Sequence, residues 1–157
     1  MGKRILLVVV VLLVLIQFIR PEANTNPRPQ GAALANFYPV PAPVEGILKK
    51  ACYDCHSNNT RYPWYSKVQP VAWWLQHHVD EGKRELNFDE FGAYTRRRQS
   101  KKMEEVAEQV EKGEMPLDSY TWIHKEAKLS SEERAALVAW AHSVQRLATD
   151  TIQPDTD

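Results

Sequence analysis

Residues 51–57, with the sequence ACYDCHS, constrain this chain more than any other feature. They contain both cysteines of the 157-residue protein, Cys52 and Cys55, and His56 directly follows the second one. On a helix, residues three and four apart lie on the same side, so two sulfurs and one imidazole can address a common centre. We therefore expect a fold that presents these three side chains together at the end of a helix.

Three chemistries use cysteine and histidine at this spacing: a disulfide or redox pair, a structural zinc site, and covalent attachment of haem. A redox pair is expected after a strand in a βαβ unit, and the sequence shows no convincing strand pattern. Structural zinc requires four ligands, and the remaining donors are scattered histidines at positions 77, 78, 124 and 142. Haem attachment needs no further thiol, because the sulfurs form thioethers with the vinyl groups and the histidine binds the iron. The pattern favours haem.

Net charge gives no indication of a nucleic-acid partner. Twenty Lys and Arg residues balance twenty Asp and Glu residues, so the formal net charge is +0. Proteins that bind nucleic acid usually carry a basic excess concentrated on one face. We therefore expect no nucleic-acid partner.

The first twenty residues have the composition of a membrane-targeting segment. Lys3 and Arg4 precede an apolar run over residues 5–19, which Arg20 follows. The run is short for a bilayer core unless the flanking basic side chains snorkel. No small residues suited to cleavage follow it directly, which favours a transmembrane anchor over residues 1–20 rather than a cleaved signal peptide. The basic N-terminus predicts a single pass through a bacterial inner membrane, with the rest of the chain facing the periplasm.

Proline content and helical periodicity divide the rest of the chain. Six prolines in residues 21–43 predict a semi-extended linker, and the polar residues 149–157 predict a flexible tail. Between them, residues 44–148 repeat apolar residues at helical spacing and show no convincing strand pattern. Ser130 and Glu133 form a capping box ahead of the last helix. These patterns predict one all-α domain.

Two long stretches of this domain resemble a known family. They read CYDCHSNNTRYPWYSKVQPVAWWLQHHVDEGKRELNF and GEMPLDSYTWIHKEAKLSSEERAALVAWA. The C-x-x-C-H motif, the R-Y-P-W-Y loop, the L-N-F segment, the M-P turn and the final helix follow the order found in the small bacterial haem-binding domain family, which is related to the monohaem cytochromes c. The resemblance covers about residues 45–145. It implies one covalently attached haem c, a cytochrome c-like helical fold and a role in electron transfer.

Met115 is the candidate for the second axial ligand of the iron, in addition to His56. It lies in a loop ahead of the last helix, and Pro116 biases it towards an extended conformation that can present its thioether. His78 is the alternative, because it shares a helical face with apolar residues. A closed site with methionine indicates an electron carrier, whereas an open or displaceable position indicates a ligand sensor or a peroxidase-like protein.

Arg61 and Trp64 are further candidates for haem contacts. Arg61 follows the motif at a distance that suits a haem propionate, and Trp64 belongs to an aromatic loop that can wall the haem. The sequence thus predicts a membrane-anchored c-type cytochrome that carries single electrons between redox proteins it does not identify. No catalytic residue is expected.

Overall fold

The computed structural model describes residues 2–150, so most of the predicted tail 149–157 lies outside the described residues. Over this range the chain forms seven α-helices and no strand, which confirms the all-α prediction. The helices are α1 Gly2–Leu15, α2 Ala42–Ala51, α3 Tyr53–His56, α4 Val71–Glu85, α5 Arg96–Lys112, α6 Asp118–Thr121 and α7 Ser131–Asp150. Short 3-10 helices lie at Ile16–Phe18, Leu34–Asn36, Trp64–Lys67, Phe91–Ala93 and Lys125–Ala127.

The apolar stripes of α2, α5 and α7 meet in one core, because each helix repeats apolar residues at three- and four-residue spacing. α5 and α7 pack against each other, and Met103 and Leu137 are completely buried in the core. α7 begins at the predicted capping box. Glu133 N donates a hydrogen bond to Ser130 Oγ, and Ser130 N donates to the Glu133 carboxylate. Gly113 ends α5 in the left-handed conformation, with φ 74°.

The short helix α3 lies against α4 through a close backbone approach at Gly82. α2 ends where Cys52 leaves the helical region, with φ −126° and ψ −47°, and α3 carries the rest of the motif. A Cβ atom at Gly82 would lie 2.6 Å from the Cys55 carbonyl oxygen, so glycine is required for α4 to come this close. Beyond α4, Phe88 N donates a hydrogen bond of 2.8 Å to His56 O. Backbone contacts therefore fix the motif from two sides.

The N-terminal apolar segment forms α1, but the transmembrane helix predicted over residues 1–20 is not found. The α-helical hydrogen-bond pattern ends at Leu15, and a 3-10 turn follows from Ile16 to Phe18. Among the helices of residues 2–150, none combines the length and the hydrophobicity needed to cross a bilayer.

The proline-rich segment 21–43, predicted as a linker, lies along the domain. The Asn24 side chain donates two hydrogen bonds of 2.9 Å to the loop that follows the motif. Leu34 and Tyr38 are buried in the core. The prolines prevent a continuous helix, but they leave the apolar side chains between them able to pack. The packed unit therefore begins before Val44, the predicted start of the domain.

Candidate functional site

A cavity of about 600 Å³ lies between the cysteine–histidine motif, α4, α5 and the loop after α5. Cys52, Cys55 and His56 line it from the motif, and Met115 lines it from the loop. Its volume falls within the range of roughly 300–1,000 Å³ that is typical of sites for small molecules and cofactors. Much of the remaining lining is apolar and comes from Leu48, Leu86, Phe88, Val106, Val110, Leu117, Leu129 and Leu137.

The imidazole of His56 is oriented for metal binding. Its Nδ1 lies 3.0 Å from the Leu86 carbonyl oxygen, so Nδ1 carries the proton and donates it, while Nε2 keeps its lone pair. Burial lowers the pKa of His56, and this effect outweighs the hydrogen bond to the Leu86 carbonyl, which raises it. The ring is therefore neutral at pH 7. A neutral imidazole whose Nδ1 is held by a backbone carbonyl is the usual form of a histidine that binds a metal ion through Nε2.

Cys52 and Cys55 are partly buried thiols that are not joined in a disulfide. Burial raises the pKa of Cys52 to about 12 and the pKa of Cys55 to about 11. A redox pair uses the thiolate, so these protonated thiols do not support that interpretation. Across residues 2–150, moreover, no group of three or more His, Cys, Asp and Glu side chains is arranged to hold a metal ion.

Both candidates for the second axial ligand lie at this cavity. Met115 follows the turn at Gly113, donates its backbone N–H to Gln109 O over 3.2 Å and packs against the core. His78 lines the same cavity from α4, and its Nδ1 lies 2.8 Å from the Trp74 carbonyl oxygen. The structure thus brings both side chains to the lining that also contains the C-x-x-C-H motif.

Arg61 and Trp64 lie outside the lining of this cavity. The Arg61 guanidinium donates to Asp54, with 3.0 Å between Nε and Oδ1, and lines a second cavity of about 350 Å³. Trp64 is 78% exposed, and its ring contacts Tyr65 edge to face. Arg61 is therefore engaged by a carboxylate of the motif itself.

The main cavity has two basic lining residues, Arg84 and Lys102, and no local motif indicates either one. The Lys102 side chain is 16% exposed, and its Nζ lies 3.4 Å from a Glu85 oxygen and 2.7 Å from a Glu105 oxygen. Lys102 lies four residues before Val106, which also lines the cavity, so the two share a face of α5. This spacing is the one sequence feature that could have predicted its position.

Asp54, between the two cysteines, connects the motif to α6, which follows the loop that carries Met115. Its buried carboxylate accepts a hydrogen bond of 2.7 Å from Tyr120 Oη, and Tyr120 lines the main cavity. It also accepts from the backbone N–H and the side chain of Arg61. The Tyr120 ring stacks on His124, with 4.4 Å between ring centroids. The motif and α6 are thus held together by side-chain contacts.

Comparison with protein families gives one match. The profile of the haem-binding domain family matches residues 11–143. The matched range contains every residue that lines the main cavity. Comparison with curated proteins and with solved structures found no match.

Proposed function

The chain belongs to the haem-binding domain family, and from this premise we propose that it attaches one haem covalently and transfers single electrons. One observation carries the proposal: both thiols of the C-x-x-C-H motif, its imidazole and a candidate second ligand line one largely apolar cavity. A bound haem supplies an iron that exchanges one electron between its ferric and ferrous states. The chain holds the haem, supplies the axial ligands and limits the access of water.

The residues of the motif suit this task. Cys52 and Cys55 would hold the haem as thioethers, and His56 Nε2 would bind the iron because Nδ1 is engaged by the Leu86 carbonyl. The propionates need cationic partners, and the cavity lining contains Arg84 and Lys102. Both are ion-paired, Arg84 with Glu81 and Lys102 with Glu85 and Glu105, so each would exchange a carboxylate for a propionate. Arg61 is a poorer partner than the sequence predicts, since it lies outside the lining of the main cavity and its guanidinium is bound to Asp54.

Covalent attachment is tested by extraction with acid and acetone after expression with a cytochrome c maturation system. The pigment should stay with the denatured polypeptide. The double variant Cys52→Ala/Cys55→Ala is the control, and it should release any pigment it binds. A colourless wild-type protein, with or without zinc, would overturn the proposal.

We propose Met115 as the second axial ligand, because a thioether raises the reduction potential relative to a second imidazole and closes the site of an electron carrier. The oxidised protein should then show a weak far-red sulfur-to-iron band. Met115→Ala should abolish this band, and the matched variant His78→Ala should keep it. A wild type without the band, whose spectrum changes in His78→Ala and not in Met115→Ala, would assign His78 instead.

The second candidate function is a ligand-binding sensor or a peroxidase-like protein. It is favoured by the position of Met115 in a loop, from which a ligand can be displaced. Binding of carbon monoxide to the reduced protein distinguishes the two functions, because a site closed by a second protein ligand does not bind it readily. Ready binding of carbon monoxide by the reduced wild type would favour the sensor or the peroxidase-like protein over the carrier.

We propose further that the N-terminal segment places the domain at the periplasmic face of a bacterial inner membrane. The support is an apolar surface that the domain leaves open: all side chains from Ile5 to Leu15 are exposed along α1. The protein should remain in membranes washed with alkaline carbonate, and its intact mass should include the residues before Ala23. Recovery of only a shorter soluble form would show instead that the segment is removed.

A further inference from the structure

The end of the apolar N-terminal segment is hydrogen-bonded to the start of α4. Gln69 N donates to Gln17 Oε1 over 2.9 Å, and Gln17 Nε2 donates back to Gln69 O over 3.3 Å. Gln69 Nε2 and Trp73 Nε1 both donate to the Ile19 carbonyl oxygen, at 2.8 and 3.1 Å. Gln69 is 4% exposed, so water competes little for the three bonds that it makes, whereas the bond from Trp73 is exposed. The segment is therefore fixed to the domain at this point.

The surface beside these hydrogen bonds is apolar and open. It consists of Phe18, Ile19, Val68, Val71 and Trp73, which are between 37% and 81% exposed, and we call it the junction surface. It continues the apolar surface of α1 onto the first turn of α4. An indole with an apolar ring and a satisfied N–H group is typical of side chains at the boundary between lipid and water.

The charges next to the junction surface suit anionic lipid. Arg20 directly follows Ile19, and Lys67 directly precedes Val68; both basic side chains are exposed. Residues 64–73 contain no acidic residue, and residues 16–22 contain one, Glu22. Basic residues at this level are attracted by the anionic headgroups of a bacterial membrane.

We propose that the junction surface docks on the phospholipid bilayer, so that the domain lies on the membrane instead of above it on a linker. The inference rests on the proposed insertion of the N-terminal segment. A segment inserted up to Phe18 brings Gln17 close to the headgroups, and the four hydrogen bonds bring the first turn of α4 to the same depth. From Trp73 to Gly82, which touches the motif, α4 rises about 13 Å. The cofactor cavity is then held near the bilayer surface.

The test uses the full chain with its haem, in vesicles of phosphatidylethanolamine and phosphatidylglycerol that contain a phospholipid with a diazirine near its headgroup. After illumination and trypsin digestion, mass spectrometry compares two peptides. Residues 68–83 contain part of the junction surface, and residues 135–146 of α7 are a matched peptide that also contains tryptophan. Peptide 68–83 should carry at least about tenfold more lipid label, because interfacial side chains lie among the headgroups and α7 does not.

A charge substitution gives a second measurement. Val68→Glu puts a carboxylate on the junction surface at a side chain that is 45% exposed, so the fold should tolerate it. It should lower the labelling of residues 68–83 at least about threefold, because a carboxylate is repelled by anionic lipid and costly to bury at the interface. Ala139→Glu, at an exposed position of α7, is the matched control and should change nothing.

Three results would overturn the inference. Equal labelling of both peptides, in chains that float with the vesicles, would mean that the domain stands free of the bilayer while the segment inserts. If the chains do not float with the vesicles, the proposal that the segment inserts into a membrane is wrong, and the docking proposal is wrong with it. Absence of lipid label from residues 68–83 in floating chains, together with a disulfide-linked dimer of the variant Val68→Cys, would assign the surface to a second copy. Haem attachment is read separately from the pigment, so these failures are distinguishable from failure of the haem proposal.

Discussion

Replacing Gly82 by alanine should push α4 away from the cysteine–histidine motif. The added Cβ atom would lie 2.6 Å from the Cys55 carbonyl oxygen and 3.0 Å from the Cys55 Cβ atom. Ordinary contact begins at 3.4 Å, so the two backbones must separate by about 0.8 Å. A carbonyl oxygen cannot rotate away as the end of a flexible side chain can. The strain therefore falls on the packing of α3 against α4.

The size of the effect follows from two opposing contributions. Overpacking of this kind costs about 1–3 kcal/mol. Replacing glycine by alanine inside an unobstructed helix gains about 0.5–1 kcal/mol. We therefore expect Gly82→Ala to lower the free energy of unfolding by up to about 2.5 kcal/mol. Gly46 in α2 is the matched control, because no atom lies within 4 Å of its added Cβ, and Gly46→Ala should raise the free energy by about 0.5–1 kcal/mol.

Denaturant unfolding followed by far-ultraviolet circular dichroism measures both variants on the same scale. The far-red absorption band of the oxidised protein reports in parallel whether the haem ligands are disturbed. If Gly82→Ala raised the free energy of unfolding as much as Gly46→Ala, the close approach of Gly82 to Cys55 would not constrain the packing of α3 against α4.

Three further predictions concern other parts of the site. Tyr120→Phe should lower the free energy of unfolding by about 1 kcal/mol, because the Asp54 carboxylate loses a hydrogen bond of 2.7 Å; an unchanged thermal midpoint would contradict this. Before haem attachment, the thiols should react with iodoacetamide at pH 8 at least about 100-fold more slowly than free cysteine, since burial raises the pKa of Cys55 to about 11. Alkylation rates equal to those of the unfolded chain would contradict this prediction. Gly113→Ala should cost about 1 kcal/mol in denaturant unfolding because φ is 74° and its Cβ would meet Arg134 Nη1 at 3.1 Å; unchanged stability would show that the turn adapts.

The helices and the motif could be predicted because their determinants are local. Cys52, Cys55 and His56 are three and four residues apart, so a single helical turn brings them together without tertiary information. The capping box of Ser130 and Glu133 likewise needs only the four residues of one turn. Features of this kind are specified by the spacing of residues and do not depend on how the helices pack against each other.

The packing of the proline-rich segment could not be predicted, because it depends on distant partners. Tyr38 Oη donates a hydrogen bond of 2.6 Å to the Gln99 side chain, which lies 61 residues further along the chain. Proline content predicts backbone conformation and carries no information about such a partner. Arg61 is a different case. The sequence assigns it to a propionate, and its observed partner Asp54 lies only seven residues earlier, a pairing that helical spacing does not indicate because α3 ends at His56.

The two sides of the cavity are held by different kinds of contact, and this difference determines which side can adapt. The motif is held by backbone contacts, namely the approach of Gly82 and the hydrogen bond from Phe88 N to His56 O. Few substitutions can remove a backbone hydrogen bond. The loop that carries Met115 has a backbone hydrogen bond to α5, but its connection to the motif is a side-chain hydrogen bond from Tyr120 in the following helix α6, which one substitution removes. Under the proposed function, the attachment side is therefore the fixed part of the site, and the difference between a carrier and a ligand sensor is decided in the loop after α5.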